Sequence, residues 1–194
     1  GCSYPAKQLA ETAKAARERG VPVRSDGARS PYAAVASGVS PAELVREVDS
    51  VMFCFSKGLG APVGSIVVGS KDFIVEAHTH RKRLGGGMRQ AGVLAAACLY
   101  ALDHHYDRLA EDHANARLLA KTLAELGMDV DPVETNIVFF NTPQPNAPQA
   151  VRALEERGVR CLALGPSRMR LVTHLDVSAE QTKQACEALK RVLG

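Results

Sequence analysis

Ser56-Lys57-Gly58-Leu59-Gly60 directly follows the apolar run Ser50-Val51-Met52-Phe53-Cys54-Phe55. A strand that ends in Ser-Lys and then breaks into glycines holds one lysine at the mouth of a sheet. Open α/β sheets bind ligands at the carboxyl ends of their strands. A lysine held there, with its pKa lowered by partial burial, is placed to form a Schiff base with a carbonyl. Asp26, in Ser25-Asp26-Gly27-Ala28-Arg29, follows the short strand predicted at Val21-Pro22-Val23. Two neighbouring parallel strands would bring Asp26 and Lys57 to one crevice. A lysine and a carboxylate so placed suit pyridoxal 5'-phosphate (PLP), with Lys57 as covalent anchor and Asp26 paired with the protonated ring nitrogen, which makes the ring an electron sink.

The elements that must position these residues are legible in outline. Residues 6–19 read as a helix stopped by Gly20, and Ser40-Pro41-Ala42-Glu43 reads as a helix start with Ser40 as N-cap and Glu43 in capping-box position. Residues 50–55 and 64–69 read as buried strands, and Lys71 to Arg83 as a helix ending at three glycines. A long Ala/Leu-rich helical stretch spans about 88–126, with a break near 103–107. Beyond it come a strand at 136–140, a Pro-rich loop at 143–148 and a helix at 149–157. Strands near 159–164 and 169–173 precede a last helix, 178–192, capped by Ser178. This order predicts part of a larger parallel α/β domain over residues 1–106, including a linking helix, and a small α+β domain over 107–194.

Composition sets the limits. The chain has 194 residues, 46% hydrophobic and 23% charged, with no tryptophan, so the core must be built mostly of Ala, Val and Leu. Its net charge of +3 is spread along the sequence, and the nearest thing to a basic cluster is Arg81-Lys82-Arg83. No nucleic-acid partner is expected. The five cysteines, Cys2, Cys54, Cys98, Cys161 and Cys186, show no CxxC spacing, which favours a reducing cytoplasm over disulfides or zinc. No apolar run reaches membrane-spanning length, so no membrane partner is expected. Gly1-Cys2-Ser3-Tyr4-Pro5 carries no initiator methionine, so the chain is expected to begin inside a longer protein.

Four blocks make the sequence recognisable. They are Asp26-Gly27-Ala28-Arg29, Asp49 through Ser65 around Lys57, Leu84-Gly85-Gly86-Gly87-Met88-Arg89-Gln90-Ala91-Gly92, and Arg170-Leu171-Val172-Thr173-His174-Leu175-Asp176-Val177. In this order they resemble the L-threonine aldolases of the aromatic amino acid beta-eliminating lyase/threonine aldolase family. The resemblance implies the PLP-dependent fold type I (aspartate aminotransferase-like) and reversible cleavage of L-threonine or L-allo-threonine to glycine and an aldehyde. It implies that Lys57 and Asp26 are catalytic, and that Arg29 lies beside the cofactor, holding a ring oxygen or the substrate carboxylate. Arg170 resembles the arginine that binds the substrate carboxylate, for which a guanidinium fork is suited. Lys82 and Arg89 match basic residues that face the active site or the neighbouring subunit's cofactor phosphate. A homodimer or homotetramer follows from the same resemblance.

The family also carries an N-terminal segment with the phosphate loop, a ring-stacking histidine and the histidine candidates for the base. That segment could be supplied as a separate chain. A catalytically incomplete fragment and another fold type I β-eliminating lyase are the competing readings, while the Leu84–Gly92 block argues against an aminotransferase. Two local departures stand out. Arg24-Ser25 replaces the usual His and apolar residue before the Asp, and Ser30-Pro31-Tyr32-Ala33 replaces an apolar-aromatic-Asn-Ala run. His78 and His80 lack a third ligand and read as surface residues, and no metal is expected. His104, His105 and His113 are expected on exposed helix or turn surface, and His174 in a structural hydrogen bond.

Overall fold

The computed structural model describes residues 3–194, so Cys2 lies outside the described residues. The chain divides into two units, residues 4–107 and residues 108–194 with Ser3.

The first unit contains α1 (Ala6–Arg17), β1 (Arg24–Asp26), α2 (Ser30–Ser37), α3 (Pro41–Leu44), β2 (Ser50–Cys54), β3 (Ser65–Gly69), α4 (Lys71–Arg83) and α5 (Gly92–His105). Its sheet has the order β1-β2-β3. β1 runs parallel to β2, with Asp26 opposite Met52. β3 runs antiparallel to β2, with Cys54 opposite Ser65.

The first strand begins three residues later than Val21. Pro22 has no N–H to give to a ladder, and Val21 is exposed. Val23 instead clamps the entry to β2: its N–H donates to Asp49 Oδ2 at 2.7 Å, and its carbonyl accepts from the Asp49 N–H at 2.9 Å. Arg24 is exposed and Ser25 half-buried, so Arg24-Ser25 does not enter a buried strand here. The expectation of a buried strand at 64–69 is also corrected. β3 is an edge of this sheet, and Ile66, Val67 and Val68 are all exposed.

The second unit contains α6 (Leu109–Glu125), β4 (Asp129–Val130), β5 (Ile137–Asn141), α7 (Ala147–Glu155), β6 (Leu162–Ala163), β7 (Arg168–Val172) and α8 (Ala179–Leu193). Four antiparallel strands lie in the order β4-β5-β7-β6. Strand side chains alternate between faces. Val138 and Phe140 of β5 and Met169 and Leu171 of β7 therefore point into one core, where they meet Leu119 and Leu123 of α6, Leu154 of α7 and Leu189 of α8. Arg168 and Arg170 fall on the opposite face. Ser178 caps α8 in a complete capping box with Gln181.

α6 corrects one histidine. Leu109, Asp112, His113, Ala116, Leu119 and Leu123 share one helical face and are all buried. His113 is thus a core residue, its pKa lowered by burial and then by the nearby Arg117. Its place on the apolar stripe was readable from the spacing.

Candidate active site

The Lys57 turn is built by short-range necessity. β2 ends at Cys54, and the chain reverses through residues 55–64 to enter β3. Phe55 and Ser56 both donate their N–H to the Gly64 carbonyl, at 3.0 and 3.4 Å. Gly60 N–H donates to the Lys57 carbonyl at 2.9 Å, and Ala61 N–H to the Phe55 carbonyl at 3.0 Å. Gly64 holds φ at 121°, a region that side-chain-bearing residues avoid. The turn therefore closes on its own backbone, with Phe55 and Leu59 buried and Lys57 exposed, not partly buried as the sequence suggested.

Gly58 is demanded by a close approach. A Cβ placed there would fall 2.2 Å from Cε2 of Tyr32. Tyr32 is 1% exposed and belongs to α2, the helix formed by the divergent Ser30-Pro31-Tyr32-Ala33 run. Pro31 sits in its first turn and Gly38 ends it at φ 67°. This helix was not anticipated from sequence, although Pro at the start and Gly just past the end are its signature. Gly58→Ala is expected to lower stability by about 1–3 kcal/mol, the cost of overpacking against an immobile ring. Denaturant unfolding of the variant measures it.

Asp26 ends β1 on the same edge of the sheet. The parallel pairing carries on past it: Gly27 N–H donates to the Met52 carbonyl at 3.0 Å, and Cys54 N–H to the Ala28 carbonyl at 3.3 Å. The Asp26–Arg29 segment and the Cys54–Lys57 segment thus leave the carboxyl ends of two adjacent parallel strands. Ala28, Arg29, Cys54 and Lys57 converge on one narrow crevice that leaves no room for a water molecule, with Tyr32, Gly58 and Leu59 in its walls; Asp26 stands outside it. Arg29 makes no ion pair among the described residues. Its Nε is buried and has no hydrogen-bond partner, which is costly unless a ligand supplies an acceptor.

Lys82 lies near the end of α4, exposed, its side chain folded over the backbone of Gly87, where an added Cβ would meet Lys82 Cδ at 2.7 Å. Arg89 is exposed in the loop between α4 and α5. Neither lines the Lys57 crevice. His78 and His80 are exposed on α4.

Arg170 belongs to the second unit, opposite Phe139 in the β5–β7 register. Its face is ordered by Arg168, whose guanidinium forks onto the Asp131 carboxylate and lies 5.3 Å above the Phe139 ring. Arg168 holds the Asp131 carboxyl below its ordinary value by that hydrogen bond. The segment after Arg170 is pinned from beneath. Thr173 Oγ1 donates to the Asp112 carbonyl at 2.7 Å, and Asn136 Nδ2 to the Thr173 carbonyl at 2.7 Å. Arg170 Nε is buried and without a hydrogen-bond partner, like that of Arg29. His174 Nδ1 accepts from the Asp176 N–H at 3.3 Å, a local structural contact.

The four described cysteines are free. Burial, and secondarily Glu155, pushes the Cys161 thiol up to about 11, which keeps it protonated and unreactive.

Comparison with known proteins agrees with this geometry. The low specificity L-threonine aldolase of Escherichia coli K12 is 45% identical over 181 residues, covering 93% of this chain and 54% of its own length. The chain spans about half the length of the curated relatives it matches. A Leishmania major threonine aldolase structure superposes with a TM-score of 0.79 at 20% identity, covering all of this chain and 58% of that one. An aspartate aminotransferase from Thermotoga maritima gives 0.72 at 18% identity, covering 98% of this chain and 52% of that one. These likenesses show the fold, which is fold type I. The beta-eliminating lyase profile matches residues 1–144. That stretch contains the Lys57 turn, the Asp26–Arg29 segment and the glycine loop in full, and by it the chain belongs to the beta-eliminating lyase family.

Proposed function

We propose that this chain carries the lysine-bearing part of a PLP-dependent aldolase that reversibly cleaves L-threonine or L-allo-threonine to glycine and an aldehyde. The observation that carries the reading is the convergence of Lys57 and the buried, unpartnered Arg29 Nε beyond the carboxyl ends of the parallel strands β1 and β2. Its donor set suits a phosphorylated pyridine aldehyde: an exposed primary amine, a carboxylate at the same sheet edge, and a buried Nε without an acceptor. Residues 1–106 would then be part of the large cofactor-binding domain, and residues 107–194 the small domain.

When bound, PLP supplies an electron sink for the charge left on Cα as the Cα–Cβ bond breaks. Lys57 would hold it covalently, and the Asp26 carboxylate would keep the ring nitrogen protonated. Arg29 would donate its Nε to a ring or carboxylate oxygen. Lys82 and Arg89 would serve the phosphate, with their charges exposed where a second subunit can reach them. Arg170, on the polar face of the small sheet, would receive the substrate carboxylate in a bidentate grip. Relatives of about twice this length support assigning the catalytic base and the phosphate loop to residues outside this chain, whether in one polypeptide or in a partner chain.

Association into a dimer or tetramer is part of the proposal. The Ile66-Val67-Val68 edge strand and Val93, Leu99 and Tyr100 of α5 are exposed. Uncovered apolar edges of this kind invite pairing. Free cysteines support a cytoplasmic setting, and no helix among the described residues is long and apolar enough to cross a membrane.

The test is incubation of this chain, together with the residues that supply the base and the phosphate loop, with PLP and L-threonine. Glycine and acetaldehyde in equal amounts are expected of an aldolase. Ammonia and 2-oxobutyrate would instead assign it to β-elimination. The half-length match also favours a second reading, a catalytically incomplete piece, for which PLP would attach and neither product pair would appear.

A further inference from the structure

His105 was expected on open surface, yet it reaches the Lys57 turn. It is the last residue of α5 and half-buried. Its Nδ1 lies 2.6 Å from the carbonyl oxygen of Leu59, two residues beyond Lys57. A carbonyl oxygen can only accept, so Nδ1 carries the proton and donates it.

The bond spans 46 positions of sequence and lands on a residue that is 1% exposed. A second contact comes from the same helix. Cys98 Sγ lies 3.7 Å from the Val63 carbonyl, at the other end of the turn. Cys98 and His105 are seven residues apart, which puts them on one helical face. The Tyr100 ring meets the His105 imidazole edge-on, with centroids 5.6 Å apart, and restricts its orientation. Tyr32 blocks the turn at Gly58, so the segment carrying Lys57 is held by α2 at one point and by α5 at two.

We propose that His105 is a positioning residue for Lys57: its Nδ1–H, donated to Leu59, fixes the Lys57–Gly60 turn so that the lysine amine is presented at the crevice. The inference rests on the reading of Lys57 as the cofactor lysine. The turn's own hydrogen bonds set its local shape, whereas the His105 bond ties that shape to a helix end far away in sequence. Without it the Leu59 carbonyl loses the His105 donor, and the turn gains freedom at the residue next to Gly58.

The experiment compares the 194-residue chain with its His105→Ala and His105→Asn variants. The Asn side-chain amide offers an N–H close to where Nδ1 stands, so it can restore the bond without the ring. Two quantities are read: the rate at which PLP and borohydride label Lys57, and hydrogen exchange at the Gly60 and Ala61 amides. His105→Ala is expected to slow labelling of Lys57 by several-fold to about tenfold, the scale of one hydrogen bond, and to speed exchange at Gly60 and Ala61 by a like factor. His105→Asn is expected to recover most of both, with exchange in β5 and β7 unchanged in either variant. Unaltered exchange at Gly60 and Ala61 in His105→Ala, or a loss that His105→Asn does not recover, would overturn the positioning role. If the unmodified chain fails to label at Lys57, the cofactor reading falls instead, and the exchange measurement still decides whether His105 orders the turn.

Discussion

Lys57→Ala is expected to remove covalent attachment of PLP and to depress threonine cleavage by at least ~10⁴-fold, the scale on which loss of a covalent catalytic group is felt. The fold should be indifferent to the change. Lys57 is exposed, and among the described residues its side chain makes no ion pair or hydrogen bond that the turn needs. The turn is closed by the backbone of residues 55, 56, 60 and 61, together with Gly64. The measurement is therefore paired: cleavage rate and denaturant midpoint on the same preparation. A variant that loses activity only because it unfolds would not support the assignment, and one that unfolds normally yet still cleaves threonine would contradict it.

The second large effect is structural. Phe140→Ala should lower stability by about 3–5 kcal/mol, as expected for deleting a fully buried aromatic side chain. Phe140 is 0% exposed and stands opposite Met169, itself 0% exposed, in the β5–β7 register. Its loss opens a cavity under the strand that carries Arg170. The neighbouring Phe139 makes the contrast, because it lies on the other face beneath Arg168. Phe139→Ala should cost much less, since that ring is partly exposed and its main partner, Arg168, keeps Asp131. Chemical denaturation of the two variants side by side checks both. Equal losses would mean that the core is not divided by the sheet in this way.

Much of this was legible beforehand where local rules and packing agree. α4 spans the anticipated residues, and Ser70 accepts the Phe73 N–H as its cap. Ser178 caps α8 as its place before the last apolar helix suggested. β2 and the Lys57 turn follow from an apolar run that ends in glycines. What the sequence did not disclose depends on partners. β3 reads as buried because Ile66-Val67-Val68 is continuously apolar, yet the described residues leave all three partly uncovered. A run of that kind records that the strand requires cover without naming what supplies it.

The histidines divide along the same line. His113 could have been placed in the core from the spacing of α6. His105 could not have been placed against Leu59, because a contact across 46 residues depends on how α5 lies on the sheet. The site residues split likewise. The delivery of Asp26 and Lys57 to one end of the sheet was readable because adjacent parallel strands bring their following loops there, whereas Arg29 was expected only from the family resemblance. The unpartnered Nε atoms of Arg29 and Arg170 appear only once the packing around them is known.

The proposed function stands on Lys57 as the cofactor lysine. Its most direct test is to add PLP, reduce with borohydride, digest, and locate the pyridoxyl group by mass. About one group per chain is expected, on the peptide containing Lys57, at low cofactor excess. Label absent from Lys57, or spread evenly over exposed lysines such as Lys71, Lys82 and Lys121, would contradict it.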